Sequence, residues 1–209
     1  IRPRLQPGVV QGAEGRSPAG AATYEARQEA QSLTVPNTVG MTATFCGRPV
    51  AGDRALIMAI VNRTPDSFYD RGATFTDAAA QDAVHRVVAE GADVIDIGGV
   101  KAGPGAEVDA AEEIRRTASF VAAVRSRHPG VVISVDTWRS EVARAVVAEG
   151  ASLLNDTWAG ADPQLIEVAG QSGAGVVCSH TGGLGPRTDP HRVRYDGGVA
   201  DVIAPVTAA

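Results

Sequence analysis

Residues 56–70 read LIMAIVNRTPDSFYD, an apolar run that stops abruptly in a polar loop. Residues 56–61 are too few to cross a bilayer and rich enough in Ile, Leu and Val to suit a parallel strand covered on both faces. Residues 62–70 then supply the Asn62 amide, the carboxylates of Asp66 and Asp70, hydroxyls and the Pro65 bend, all at the C-terminal end of that strand. The same punctuation recurs. Apolar runs end in Asp96 (DVIDIGG), Asp136 (VVISVDTW), Asn155 (SLLNDTW) and His180 (VVCSHTGG), so five successive runs each deliver a polar, hydrogen-bonding residue.

Helical patterns fill the intervals. Thr76 is a candidate N-cap for a helix with Ala80, Val84, Val87 and Val88 on one stripe, ending at Gly91. Strand 94–97 is followed by a helix whose face carries Ile114, Ala118, Val121 and Val124, stopped by HisProGly at 128–130. Strand 131–135 leads to a helix with Val142 and Val146, closing at Gly150. Strand 152–154 precedes Asp162 as N-cap and Pro163 in the first turn of a helix through Val168. A fifth strand covers 176–178, and a weak helix starts near Val199.

Repeated strand-helix units imply a parallel sheet with right-handed crossovers. No strand is followed by a GxGxxG turn, which argues against an open dinucleotide-binding sheet. Polar residues at the C-terminal end of every strand instead suit a barrel. The expected fold is therefore α/β, a TIM (β/α)8 barrel of which this sequence carries the first five βα units. Residues 1–40, rich in Gly, Pro, Ser and Gln without an apolar period, read as a leader. Residues 41–55 form a hairpin-like lead-in that turns near 47–53, and 56–209 the barrel portion.

Composition narrows the function. The net charge of -5 lacks the clustered cations on which nucleic-acid binding depends. No segment is long and apolar enough for a membrane span. Cys46 and Cys178 stand far apart, suggesting neither a disulfide framework nor a multi-thiolate zinc site, and a reducing cytoplasm is the natural expectation. Cys178 reads as a small core residue, and His85 and His128 as surface residues.

The strand-end residues carry the chemistry. A carboxylate or amide closing a β-branched run is costly to bury alone, so Asp96, Asp136 and Asn155 must meet partners. An Asp accepts two bonds in one plane and an Asn both donates and accepts, which suits a guanidine-like heterocycle edge. The competing reading, capping of the following helices, fits Asp136 and Asp156 best. Asn62 can present its amide oxygen to a hard cation or its NH2 to a phosphate. His180 faces the same mouth, and Lys101 lies among glycines that permit close backbone approach to an anion.

Taken together, NRTPDSFYD, DIGG, SVDT, NDTW and the His180 segment, in this order, resemble the loop and strand-end motifs of dihydropteroate synthase, over about residues 55–209. The similarity is greater to the second, divergent copy of actinobacteria. That resemblance implies a transferase joining 6-hydroxymethyl-7,8-dihydropterin pyrophosphate to p-aminobenzoate in folate biosynthesis, with Mg2+. It implies that Asp96, Asp136 and Asn155 hold the pterin edge, with His180 and Lys101 also on the substrates. Asn62 would contact the metal-bound pyrophosphate, and Asp66 and Phe68 would belong to a catalytic loop closing over the aminobenzoate. A homodimer is implied for the complete protein. The second loop departs from the family: GGESTRPG is replaced by GGVKAGPG, so that Val100, Lys101, Ala102 and Gly103 stand for Glu, Ser, Thr and Arg. A Lys displaced by two residues does not replace a bidentate Arg. This departure motivates an alternative, a non-catalytic or repurposed pterin-binding homologue. A pterin-dependent methyltransferase domain is a further one.

Overall fold

The computed structural model describes residues 44–49, 54–64, 77–188, 193, 196, 198–200, 202 and 203. A short antiparallel hairpin, β1 (Thr44–Phe45) and β2 (Arg48–Pro49), comes first. Its turn is Cys46–Gly47 with φ of 48° and 72°, the left-handed pair that matches strand twist, and so it begins a residue earlier than the sequence suggests. Five parallel strands follow: β3 (Met58–Asn62), β4 (Val94–Gly98), β5 (Val132–Asp136), β6 (Leu153–Asp156) and β7 (Gly175–Cys178). Between them run α1 (Asp77–Ala89), α2 (Ala110–Arg127), α3 (Ser140–Ala148) and α4 (Gln164–Ser172).

Strand order is sequential, β3 to β7, with no reversal. All four helices cover one face. Ile95, Ile97, Ile133, Val135 and Leu154 on the strands join Val84, Val121, Val142, Val146 and Leu165 on the helices in one buried core. A doubly wound sheet would carry helices on both faces and reverse its order, so a singly wound, barrel-type sheet of five strands is what the chain forms. The opposite face is the barrel interior. Its lower part is a separate apolar cluster of Val94, Val132 and Leu153, against which Phe45 of the hairpin and Leu56 pack. β3 and β7 are the edges of this sheet, and Ile60 (67%) and Val177 (39%) are exposed there.

Helix ends follow local chemistry. Asp109 caps α2 by accepting the Glu112 N–H at 2.8 Å, and Gly173, in the left-handed region at φ 72°, ends α4. Asp162 has the capping chemistry expected of it and a second bond besides. α4 begins at Gln164, with Pro163 at the cap, while Asp162 accepts both the Gln164 N–H at 3.0 Å and the Ser140 N–H of α3 at 2.8 Å. It thus joins two helix starts. Thr76 lies outside the described residues, and the helix expected from about Val199 falls in a segment described only in part. No helix among the described residues is long and apolar enough to cross a membrane.

Candidate functional site

Parallel pairing places Asn62, Gly98, Asp136, Asn155 and Val177 in one register row across the C-terminal ends of the five strands. Period-two alternation puts Asp96 and Ser134 one layer below, on the same interior face. The row is therefore a shelf at the barrel mouth, with a polar layer under it.

Asp96 lies within that lower layer at 4% exposure. Its Oδ1 accepts the Ser134 hydroxyl at 2.6 Å and its Oδ2 accepts Asn155 Nδ2 at 3.2 Å. Burial raises its pKa, and the Ser134 and Asn155 bonds pull it back. Because the Asn155 NH2 is turned down to Asp96, its amide oxygen is left as the acceptor toward the mouth. Asp136 stands beside it, accepting the Thr157 hydroxyl at 3.0 Å through Oδ1. Burial first, and then the charge of Asp96, push Asp136 up to about 7 against an ordinary 3.8, despite the Thr157 bond. The two upper groups therefore present a carboxyl and an amide oxygen side by side. That is an edge for a flat ligand bearing N–H donors.

The helix-cap reading of Asp136 and Asp156 does not describe what they do. Asp136 bonds Thr157, and α3 begins at an Arg139 cap with no side-chain bond. Asp156 shapes its own loop, accepting the Trp158 and Gly160 N–H groups at 2.8 and 2.6 Å. Asn62 is half-buried at the end of β3, its Oδ1 only 2.9 Å from where a Cβ on Gly98 would lie. Arg63 turns away from the mouth, its guanidinium 4.7 Å above the Phe120 ring and paired with Asp77.

His180 and Trp158 line two adjoining cavities of 480 and 380 Å3. The smaller runs from Ala102 and Gly103 past Thr157, the partner of Asp136. Lys101 is half-buried next to Ala102. Cys178 is exposed on the edge strand and lines the larger cavity, contrary to the core role expected of it, because no helix packs over that end of β7 among the described residues. Asp66 and Phe68 lie outside the described residues. Glu113 was not visible in the sequence as part of this region. Fully buried on α2, it pairs with Arg139, whose backbone N–H donates to the Thr137 hydroxyl, next to Asp136 in sequence. An acidic residue on an otherwise apolar helix stripe was its only signal.

A profile of pterin binding enzymes matches residues 58–209. Over 170 residues the chain is 66% identical to a Mycobacterium tuberculosis protein named inactive dihydropteroate synthase 2, covering 79% of this chain and 54% of that one. A Streptococcus pyogenes dihydropteroate synthase is 40% identical over 136 residues, 64% of this chain and 51% of its own. Among solved structures, the Yersinia pestis dihydropteroate synthase in complex with a sulfonamide drug has a TM-score of 0.73 at 32% identity, covering 80% of this chain and 60% of that one. The chain spans about half the length of the curated relatives it matches. With the one-sided parallel sheet and the shelf at its mouth, these likenesses make the chain a divergent member of the dihydropteroate synthase family of pterin binding enzymes.

Proposed function

We propose that the chain contributes a pterin-binding site and that the protein it belongs to does not turn over as a dihydropteroate synthase. The observation that carries the binding half is the Asp136 and Asn155 pair, with the amide oriented by Asp96. A pterin edge with an amino group and a ring N–H supplies two donors in one plane. An ionised Asp136 and the Asn155 oxygen accept them. The non-catalytic half is supported by the altered second loop, which lacks the Thr and Arg of the family pattern, and by the "inactive" name of the relatives that share 66% identity.

The catalytic reading, condensation of a pterin pyrophosphate with p-aminobenzoate, is the second one. It draws on the first loop, NRTPDSFYD, and on the S. pyogenes likeness. No group of three or more His, Cys, Asp or Glu side chains suited to a metal occurs among the described residues. One neutral oxygen, from Asn62, suits a magnesium ion that arrives with a diphosphate and keeps most of its other ligands from water and phosphate. Such an ion would take up charge on a leaving diphosphate. The chain's own residues would orient the ring through Asp136 and Asn155.

Calorimetry with 6-hydroxymethylpterin tests the binding half. Asp136→Ala should abolish the heat of binding with circular dichroism unchanged, and unaltered affinity would sink the assignment. Pyrophosphate release by the whole protein with both substrates would overturn the non-catalytic half. Gly103 has open space around its would-be Cβ, so Ala102→Thr with Gly103→Arg can be built without a clash there. A gain in turnover from that pair would identify the second loop as the lesion.

A further inference from the structure

The loop after β4, residues 99–109, is held through its backbone carbonyls by three arginines from three other places. Arg116 of α2 donates to Gly99 O at 3.0 Å, and Arg139, beyond β5, donates to Val108 O at 2.7 Å. Both are set by carboxylates on α2, Arg116 by Glu112 and Arg139 by Glu113. The third comes from farther off. Arg187, in the loop after β7, reaches Ala106 O through Nη1 at 2.7 Å and Gly103 O through Nε at 3.4 Å. Its own backbone is in the left-handed region at φ 62°, a conformation that a non-glycine residue keeps only when its surroundings require it.

The two loops joined by Arg187 face one another across the 380 Å3 cavity. Ala102 and Gly103 form one side, Leu184 and Thr188 the other, with Trp158 and His180 between. We propose that Arg187 is a strap that fastens the loop after β7 to the loop after β4 and so controls access to this cavity. The loop that has no Arg of its own at position 103 is given one by its neighbour, spent on carbonyls rather than on a ligand. That the cavity opens beside a pterin edge, at Thr157 next to Asp136, rests on the reading above. The strap rests on the carbonyl bonds alone.

Trypsin cleavage between Lys101 and Ala102, followed by mass spectrometry on the chain, reads the strap directly, since cutting requires the loop to open. Arg187→Gly removes the guanidinium and tolerates φ 62° without strain, so the fold is retained. Cleavage there should accelerate about tenfold. Arg187→Lys, with one ammonium for two carbonyls, should fall between. Arg127→Ala, an exposed position at the end of α2, should cut like the parent chain. Parent-like cleavage in Arg187→Gly overturns the strap, as does faster cleavage spread over all sites with a lowered melting temperature. In stopped flow, 6-hydroxymethylpterin should associate with and leave Arg187→Gly faster than the parent. If the parent chain binds no pterin, the functional reading fails while the proteolysis still decides the strap.

Discussion

Asp96 and Asn155 come from strands that are not neighbours in the sheet, yet the carboxylate of the first accepts the amide N–H of the second at 3.2 Å. β5 lies between them, and its Ser134 occupies the other oxygen of Asp96 at 2.6 Å. Asp96 thus acts on a ligand at the mouth through the orientation of Asn155. Removing it in Asp96→Ala leaves a buried hydroxyl and an amide without their acceptor, at a cost of roughly 2–3 kcal/mol. Urea denaturation should show that loss. Calorimetry should show pterin affinity weakened about tenfold, since the amide is then free to flip.

Asp136 makes stability depend on pH in a defined direction. Its folded-state pKa, held up to about 7 by burial, exceeds the ordinary 3.8, so the folded protein keeps the proton more tightly. Its contribution is most favourable below about pH 4, declines as pH rises to about 7, and is level above. Thermal melts from pH 4 to 8 should show the decline, on the order of a few kcal/mol, and Asp136→Asn should flatten it. A profile identical in both proteins would contradict the burial of this carboxyl.

Ligand binding should carry the opposite pH signature. An edge of N–H donors needs the ionised carboxylate, so pterin affinity should fall about tenfold per pH unit below pH 7 and level off above it. Calorimetry at pH 5.5, 6.5 and 7.5 reads this slope, and its absence in a protein that still binds would place the pterin elsewhere.

Gly98 sits where a side chain would collide with Asn62, whose Oδ1 is 2.9 Å from the virtual Cβ. Gly98→Ala should displace the Asn62 amide at a cost of about 1 kcal/mol or less, because the atom it meets is the end of a side chain that can turn aside. The amide signal of Asn62 in a heteronuclear NMR spectrum should shift while those of Val168 and Ser172 in α4, remote from Gly98 along the sheet order, hold. Unmoved Asn62 resonances would contradict the close approach.

Glu113 is fully buried, and its partner Arg139 is largely so. Glu113→Ala should destabilise by about 3 kcal/mol, because it strands the guanidinium. Glu113→Gln, which keeps an acceptor for Arg139, should cost less than the alanine change. Equal losses in chemical denaturation would show that volume, not the ion pair, matters there.

The sequence alone was enough for the framework. Apolar runs of strand length, each closed by Asp96, Asp136, Asn155 or another polar residue and separated by amphipathic stretches, fix where strands end and which end is the mouth, because pleat and helix periods are local properties. The helices of α2 and α3 were legible for the same reason, down to the stripe of Val121 and Val124 and that of Val142 and Val146. What local pattern does not contain is which side chain meets which across the sheet. Nothing in DVIDIGG says that Asp96 is turned down to hold Asn155, 59 residues on. Nor does GGLGPR announce that Arg187 will fasten carbonyls 81 and 84 positions earlier. Those partnerships are decided when parallel pairing sets the register and the loops close over it. A carboxylate or guanidinium removed from water has to find its bonds among the atoms that tertiary packing brings within reach.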